Sequence, residues 1–206
     1  MKTAAEGMAD LFGSTRLPGL SAMPAIVSPE QATELTKRID ATELSPFRFQ
    51  GWLGKRLTFS FGLGYDFDAA RLEVAEPIPD WLQPLRERAA DFAELGPRGL
   101  TQALLIRYDP GAGIGWHRDR PHYEHVIGIS LGAPATMRFR RRSEARFERV
   151  NVPLEPRGIY HLSGEARHAW EHSIAEMTDT RWSITFRSLS ATGMRALERA
   201  AAAAGS

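Results

Sequence analysis

A histidine and an aspartate two residues apart are the first pair in this sequence that could bind a metal ion. His117 and Asp119 flank Arg118. Residues i and i+2 of an extended chain project to the same face, so one short segment can present both side chains to one ion while Arg118 points away. A second histidine would complete two imidazoles and one carboxylate, a set that suits Fe(II) and leaves coordination positions open. Taken alone, the pair is more typical of a structural hydrogen bond.

Three later histidines, His161, His168 and His172, are candidates for the third ligand. His168 and His172 are four residues apart and would share a face on a helix, as two ligands of a zinc site do. However, the sequence His-Ala-Trp-Glu-His lacks the glutamate beside the first histidine that marks the zinc-protease motif. Spacing alone leaves the choice among the three open.

The segment 181–187 alternates between two kinds of side chain, as a strand with two different faces does. Trp182, Ile184 and Phe186 would lie on one face, and Arg181, Ser183, Thr185 and Arg187 on the other. Two arginines on an inner face are costly unless they meet an anion. A dicarboxylate has two anionic ends, and guanidinium groups bind carboxylates through paired hydrogen bonds. An edge strand with solvated arginines is the alternative interpretation.

The length and composition of the chain limit the classes of protein to which it can belong. The chain has 206 residues, of which 43% are hydrophobic and 25% charged, with a net charge of +1 and no cysteine. We expect one globular domain over residues 1–206. The lack of cysteine excludes disulfide frameworks, thiolate zinc sites and cysteine nucleophiles. No apolar run approaches the roughly 20 residues that span a bilayer, so we expect no membrane partner. We also expect a cytoplasmic protein and a monomer.

Two helices followed by short strands are predicted along the chain. Ser28-Pro29-Glu30-Gln31 has the features of a helix start, and a second helix is predicted from about Asp80 to Gly96-Pro97. Turns are predicted at Asp109-Pro110-Gly111 and Ser163-Gly164-Glu165. The predicted strands are Ala103–Tyr108, Val126–Leu131, Thr136–Arg140, Arg146–Val152, Gly158–Leu162 and Trp182–Ser188. This order predicts an α+β fold with the helices packed on one side of a sandwich or barrel.

Six short motifs occur in an order that resembles the AlkB family of 2-oxoglutarate/Fe(II) dioxygenases. They are Arg107-Tyr108-x-Pro110-Gly111, His117-x-Asp119, Ser130-Leu131-Gly132, Ser163-Gly164-Glu165-Ala166-Arg167, Trp170-x-His172-x-Ile174 and Arg181-x-Ser183-x-Thr185-Phe186-Arg187. The match covers roughly residues 102–188. It is specific, because independent motifs agree in order and approximate spacing. A weaker likeness extends upstream through Phe61-Gly62-x-x-Tyr65.

The resemblance implies both a fold and a metal. The fold would be a double-stranded β-helix, or jelly roll, over about residues 101–190, with N-terminal helices and a substrate lid over about residues 20–100. Carried over by position, His117, Asp119 and His172 would bind Fe(II). His172 is selected over His168 because the family's metal histidine follows an aromatic residue and precedes a small residue and an isoleucine. His161, like His122 and His125, is expected to be structural.

The resemblance also implies 2-oxoglutarate and O2 as cosubstrates. Arg181 would bind the distal carboxylate of 2-oxoglutarate, and Tyr108 would donate a hydrogen bond to the same molecule. Ser183 and Arg187, on the inner face of the same strand, would lie beside it. Many family members have an asparagine two residues before the tyrosine; this chain has Ile106 there. The arginines remain, so we expect 2-oxoglutarate to bind.

The activity that the resemblance implies is oxidative demethylation of alkylated bases in single-stranded DNA or RNA, with release of formaldehyde, succinate and CO2. Nucleic-acid repair members often have an acidic residue two positions after the metal aspartate, where this chain has Pro121. Two alternatives therefore stay open. One is a hydroxylase or demethylase of a protein side chain or small metabolite on the same fold. The other is a ligand-binding scaffold without turnover.

Tyr65, Trp52 and Arg118 are the candidates for substrate contact. The two aromatic residues fall in the region of the family's lid, where a flipped base needs a stacking partner, although core packing also explains them. In addition, residues 138–149 contain six arginines and two acids, a net charge of +4 in a nearly neutral chain. On a hairpin, these arginines could contact phosphates, or they could form a solvated hairpin whose charged edges discourage strand pairing.

Overall fold

The computed structural model describes residues 17–49, 52–66, 71–96, 98–144 and 146–204. Its helices are α1 (Pro29–Asp40), α2 (Gln83–Phe92), α3 (Gly164–His168) and α4 (Ala191–Ala204). Its strands are β1 (Leu20–Met23), β2 (Ser45–Phe49), β3 (Trp52–Phe61), β4 (Leu63–Asp66), β5 (Arg71–Val74), β6 (Gln102–Tyr108), β7 (Ile114–His117), β8 (Tyr123–Gly132), β9 (Ala135–Arg142), β10 (Phe147–Leu154), β11 (Ile159–Leu162), β12 (Glu171–Ile174) and β13 (Arg181–Leu189).

Two antiparallel sheets share a core and form a double-stranded β-helix. The larger sheet has the strand order β1-β11-β8-β13-β6-β3-β2, and the smaller has the order β10-β9-β12-β7. A third sheet consists of β4 and β5 alone. Each strand predicted from residue 102 onward is present within three residues of its predicted limits. The α+β jelly-roll prediction is confirmed.

The larger sheet is buried on both faces, which gives the protein two hydrophobic cores. One core lies between this sheet and the helices α1 and α2, and it includes Ile39, Leu85, Leu105, Ile129 and Phe186. The other lies between the two sheets, and it includes Tyr108, Met137, Phe139, Leu154 and Ile174. The helices therefore cover one side of the sandwich, as predicted, and the polar residues of β13 face the space between the sheets.

Helix α1 begins as its sequence predicts. The Ser28 hydroxyl accepts a 3.2 Å hydrogen bond from the backbone N–H of Gln31, and the Gln31 side chain accepts a 3.1 Å bond from the backbone N–H of Ser28. This reciprocal cap satisfies two N–H groups that a helix start leaves unpaired. The second helix differs slightly from the prediction. A 3₁₀ turn over Asp80–Leu82 precedes α2, and α2 ends at Phe92, where Glu94 follows with a left-handed φ of 55°.

Five strands precede residue 102, in a region where helices and a lid were predicted. Strand β1 pairs with β11 and β3 pairs with β6, so both extend the larger sheet. The signal in sequence is weak because β1 has four residues and β2 carries a register shift, so neither shows a long alternating pattern. In β3, Phe59 and Phe61 alternate with Thr58 and Ser60, a sequence pattern typical of a half-buried strand.

The chain forms two further helices in its second half, the short α3 and the C-terminal α4. The segment Ser163-Gly164-Glu165 was predicted as a turn, but Ser163 is the N-cap residue of α3, so the chain continues as a helix there. Helix α4 packs against β5 and β13. Among the helices of the described residues, none is both long and apolar enough to cross a membrane.

Candidate metal centre and oxyanion pocket

The side chains of His117, Asp119 and His172 meet where β7 and β12 run side by side. The two strands pair with His172 directly opposite His117, and Asp119 follows two residues after β7 ends. One ligand atom from each side chain lies within 4.8 Å of the others. Nε2 of His172 is 3.5 Å from Oδ2 of Asp119, and the two imidazole centroids are 4.3 Å apart. The structure thus brings together the three predicted iron ligands.

Hydrogen bonds orient two of these side chains. Nδ1 of His117 lies 2.9 Å from the carbonyl oxygen of Gly115. Because that oxygen only accepts, Nδ1 carries the proton of the neutral ring and Nε2 has a free lone pair for a metal ion. Oδ1 of Asp119 accepts a 2.9 Å hydrogen bond from Nη2 of Arg187, which leaves Oδ2 facing His172. The donor set of two nitrogens and one oxygen therefore fits Fe(II).

Charged neighbours keep Asp119 ionised, and burial keeps His172 neutral. Burial alone would raise the pKa of Asp119, but Arg187 and the imidazoles of His172 and His117 lower it well below its usual range. Burial lowers the pKa of His172 to about 4, although Asp119 acts in the opposite direction. At neutral pH both groups are in the form that binds a metal ion.

Gln102 holds Arg187 beside Asp119. Nη1 of Arg187 donates to Oε1 of Gln102 at 3.0 Å, and Nε2 of Gln102 donates to the carbonyl oxygen of Leu63 at 2.7 Å. Burial alone would lower the pKa of Arg187, but Asp119 and Tyr123 raise it, so the guanidinium stays charged. Gln102 was not among the predicted site residues. Its signal was a lone amide directly before the apolar run Ala103-Leu104-Leu105-Ile106.

Arg181 brings a positive charge into the interior with only some of its donors satisfied. The residue is 1% exposed. Its Nε donates to Oγ of Ser130 at 3.0 Å, and its Cζ lies 5.1 Å from the centroid of the Tyr108 ring. Nη1 and Nη2 are buried and have no hydrogen-bond acceptor in the part of the chain that the structure describes. Such a group is costly unless an anion completes it, so the pocket fits one carboxylate of a diacid.

Strand register places the other predicted cosubstrate residues on the same inner face. Arg181 pairs with Tyr108 on β6, and two residues later Ser183 pairs with Ile106 on β6 and Ser130 on β8. Tyr108 and Ser183 are both buried. Ile106, which stands where many family members have asparagine, belongs to the core between the sheets. An apolar side chain thus stands here in place of the asparagine that contacts 2-oxoglutarate in many family members.

Tyr65 packs against the loop that follows Asp119. Cζ of Arg120 lies 3.6 Å from the centroid of the Tyr65 ring, and the ring of His122 is tilted against it with centroids 5.7 Å apart. Arg120 therefore covers one face of the aromatic ring. A base that stacks on Tyr65 must displace Arg120 or use the other face, and this role stays a prediction.

Trp52 and Arg118 are the two other residues predicted to contact the substrate. Trp52 begins β3, but its side chain lies outside the described part of the structure. Arg118 is exposed, and its Nη1 donates to the carbonyl oxygen of His168 at 3.5 Å, at the end of α3. Its substrate contact also stays a prediction.

Arg167, which is 3% exposed, anchors the loop after Asp119. Its Nη2 donates to the carbonyl oxygens of Arg120 and, at 2.7 Å, of Tyr123. Burial lowers the pKa of Arg167, while Asp119 raises it. In the sequence, Arg167 stands out only as the last residue of the motif Ser163-Gly164-Glu165-Ala166-Arg167. Its partners are backbone carbonyls more than 40 residues away, so nothing in its neighbourhood along the chain indicated the contact.

The other histidines lie outside the metal cluster, as predicted. Nε2 of His168 is 3.0 Å from Oε1 of Glu124 near the surface. Nδ1 of His125 and Nε2 of His161 are 2.9 Å apart between β8 and β11, so one ring donates to the other. Burial and, to a smaller extent, His125 together lower the pKa of His161 to about 4.

This buried pair predicts a loss of stability in acid. The unfolded chain protonates His161 near its ordinary pKa, whereas the folded protein resists protonation until about pH 4. The stability that depends on neutral His161 is therefore fully present above about pH 6.5, and it decreases as the pH falls towards 4. We expect wild-type protein to lose up to about 2 kcal/mol more unfolding free energy between pH 7.5 and 5 than His161→Gln does. Urea unfolding at the two pH values tests this, and equal losses would contradict it.

Comparisons with known proteins agree with this geometry. The family model described as the 2OG-Fe(II) oxygenase superfamily matches residues 19–195. The tRNA (carboxymethyluridine(34)-5-O)-methyltransferase alkbh8 of Xenopus tropicalis is 29% identical over 164 residues, which cover 76% of this chain and 25% of that protein. The Alkylated DNA repair protein ALKBH8 homolog of Arabidopsis thaliana is 25% identical over 184 residues, which cover 77% of this chain and 51% of that protein.

A solved structure shows the same fold. OsALKBH1 superposes with a TM-score of 0.66 at 14% sequence identity, covering 86% of this chain and 99% of that one. The two ALKBH8 relatives are longer proteins, of which this chain spans about a quarter and about half. Together, the fold, the motifs and the family match mean that the chain uses Fe(II), 2-oxoglutarate and O2. They exclude the alternative that the protein is a ligand-binding scaffold without turnover. The chain belongs to the 2OG-Fe(II) oxygenase superfamily and is a dioxygenase of the AlkB type.

Proposed function

We propose that this protein oxidatively demethylates alkylated bases of a nucleic acid. The observation that carries the proposal is the His117/Asp119/His172 cluster. It shares the space between the two sheets with Arg181, whose Nη1 and Nη2 have no acceptor among the described residues. A metal ion and a diacid can both be held there. Iron, 2-oxoglutarate and O2 together supply the oxidising power that hydroxylates an N-methyl group, which then leaves as formaldehyde.

Each residue has a separate part in this proposal. His117, Asp119 and His172 hold the iron, and Arg181 pairs with the distal carboxylate of 2-oxoglutarate while Ser130 fixes its Nε. Arg187 keeps Asp119 ionised and oriented. Tyr108 and Ser183 line the same inner face. Because these groups are buried, water is largely excluded, and the charges act more strongly than they would in solvent.

Two observations support a nucleic acid as the substrate. The names of the two relatives refer to tRNA and to alkylated DNA. The hairpin of β9 and β10 also concentrates positive charge in a nearly neutral chain. Pro121 stands where repair members often have an acidic residue, so reading of the base must rest on other side chains.

One observation favours a second candidate, a small anionic metabolite. Arg56 is half-buried on β3, one residue beyond the Leu57–Arg107 pair, and its Cζ lies 3.8 Å from the Phe47 ring centroid. Burial lowers its pKa, and Tyr108, Arg187 and Asp119 act on it electrostatically. Its guanidinium has no ion pair or hydrogen bond within the described residues. A cation placed in this way could hold a substrate carboxylate as well as a phosphate.

Release of formaldehyde and succinate tests the proposal. The purified protein is incubated with Fe(II), 2-oxoglutarate and methylated single-stranded DNA, methylated tRNA, protein extract or a panel of small acids. We expect matched release of both products with a nucleic acid and none with Asp119→Ala. Coupled turnover with protein extract or an acid alone would overturn the nucleic-acid assignment.

Arg56→Met tests whether Arg56 binds an anionic group of the substrate, whether that group is a carboxylate or a phosphate. If Arg56 holds an anionic group of the substrate, KM for the substrate rises by roughly tenfold or more, as expected for loss of one charged hydrogen bond. KM for 2-oxoglutarate stays unchanged, because Arg181 is intact. A rise in KM for 2-oxoglutarate alone would mean that Arg56 belongs to the cosubstrate site.

A further inference from the structure

The outer face of the four-stranded sheet carries a row of arginines. Met137 and Phe139 of β9 point into the core, so the alternating residues project outwards. With their neighbours on β10 and the residue before His117, they form a surface that we call the arginine face. It consists of Trp116, Arg138, Arg140, Arg142, Phe147 and Arg149.

Two arginines of this face lie directly opposite each other. In the pairing of β9 with β10, Arg140 is the cross-strand partner of Arg149. Like charges in this position destabilise a sheet, whereas an acidic residue at either position would form a cross-strand ion pair. The arrangement therefore costs stability in the free protein and favours an anionic partner.

Aromatic rings hold the guanidinium groups in place. Cζ of Arg138 and Cζ of Arg140 lie 5.4 Å and 4.4 Å from the centroid of the Trp116 ring. Cζ of Arg140 and Cζ of Arg149 lie 4.9 Å and 5.6 Å from the centroid of the Phe147 ring. Stacking orders side chains that would otherwise be mobile, so less conformational entropy is lost when they bind a ligand.

The acidic residues nearby do not neutralise the surface. Glu171 pairs with Arg140 at 2.6 Å, while Glu148 pairs at 2.7 Å with Arg141, which is not part of the arginine face. Within the described residues, no ion pair reaches the guanidinium groups of the other four arginines of the hairpin: Arg138, Arg142, Arg146 and Arg149. The positive charge is thus local, in a chain whose net charge is +1.

The arginine face lies directly behind the metal cluster. Trp116 and His117 are neighbours on β7 whose side chains take opposite sides of the sheet, and Glu171 and His172 repeat this on β12. The arginine face and the metal cluster are therefore separated by the thickness of one sheet. We infer that the arginine face binds the phosphate backbone of a single-stranded nucleic acid and holds that strand close to the catalytic residues. This inference rests on the proposed function, because it identifies a contact outside the catalytic pocket for the same class of substrate.

Salt-dependent binding of an unmodified, labelled single-stranded oligonucleotide tests the inference. Each phosphate contact on a single strand contributes about 0.7 to the slope of log Kobs against log salt concentration. The double variant Arg142→Ser/Arg149→Ser is expected to flatten this slope by about 1.4. Its affinity at low salt should fall roughly tenfold. The matched control is Lys37→Gln/Arg38→Gln, which removes the same charge from α1 on the far side of the protein and should leave binding unchanged.

A second variant distinguishes binding from folding. Arg149→Glu places a carboxylate opposite Arg140, so we expect Tm to rise by about 1–3 °C. The affinity for the oligonucleotide should fall at the same time. A residue with a purely structural role would not move these two quantities in opposite directions.

The outcomes separate this inference from the proposed function. Wild-type affinity in Arg142→Ser/Arg149→Ser, an equal loss in the α1 control, or a flat salt response of the wild type would each overturn it. So would binding of anionic lipid vesicles that competes fully with the oligonucleotide. Iron-dependent succinate formation without substrate should be the same in all variants. The binding assay needs no demethylation, so a failure of the methylated-substrate screen leaves its result intact.

Discussion

His172→Ala is expected to abolish iron binding and to lower succinate formation from 2-oxoglutarate by about 100-fold or more. The substitution removes one of three ligand atoms that lie within 4.8 Å of one another. Asp119 then keeps its ion pair with Arg187 but loses the imidazole that faces Oδ2. Iron affinity can be measured by titration under nitrogen, and turnover by succinate release.

His168→Ala is the matched control for this experiment. His168 is the same type of residue four positions earlier, but it is exposed and pairs with Glu124. We expect its iron affinity and turnover to equal those of the wild type. The prediction fails if His168→Ala loses iron, or if His172→Ala retains it. Because the two histidines cannot be separated by spacing alone, the comparison tests the contribution of the fold directly.

Arg181→Met is expected to change stability and ligand binding in opposite directions. In the free protein, Nη1 and Nη2 of Arg181 are buried and have no acceptor among the residues that the structure describes, which costs about 1–3 kcal/mol. Replacing the guanidinium with an apolar side chain of similar length should therefore raise Tm of the ligand-free protein by about 2–8 °C. At the same time, affinity for 2-oxoglutarate should fall by about 100-fold, because the distal carboxylate loses a buried charged partner.

A shorter ligand provides the control for Arg181. A 2-oxo monoacid has the chelating end of 2-oxoglutarate but no distal carboxylate. It should bind wild-type protein and Arg181→Met with the same affinity, in the presence of Fe(II) and without O2. Thermal shift with each ligand measures this, since a ligand that binds only the folded state raises Tm according to its affinity. If Arg181→Met weakens both ligands equally, the distal carboxylate is not the partner of Arg181.

Much of the catalytic half could be predicted from local patterns in the chain. His117 and Asp119 are two residues apart in an extended segment, so their common face follows from strand geometry. The alternation in β13 likewise separates Arg181 and Ser183 from Ile184, and Ile184 packs in the core on the side of α1 and α2. The capping box of α1 is local too. These features depend on residues within a few positions of one another, and for that reason they are readable in sequence.

Strand pairing decided the rest, because it joins residues that are far apart in the chain. Neither segment alone shows that His172 lies opposite His117, or that Gln102 orients Arg187. Strands β1 and β2 were missed because short edge strands have too few residues to display a period, and neighbours supplied by distant segments stabilise them. The cross-strand pair of Arg140 and Arg149 is a property of register as well. The sequence by itself determined which chemical groups are available and which face of its own strand each one takes. The tertiary structure determined which groups meet, because hydrogen bonds between strands, and not distance along the chain, set those contacts.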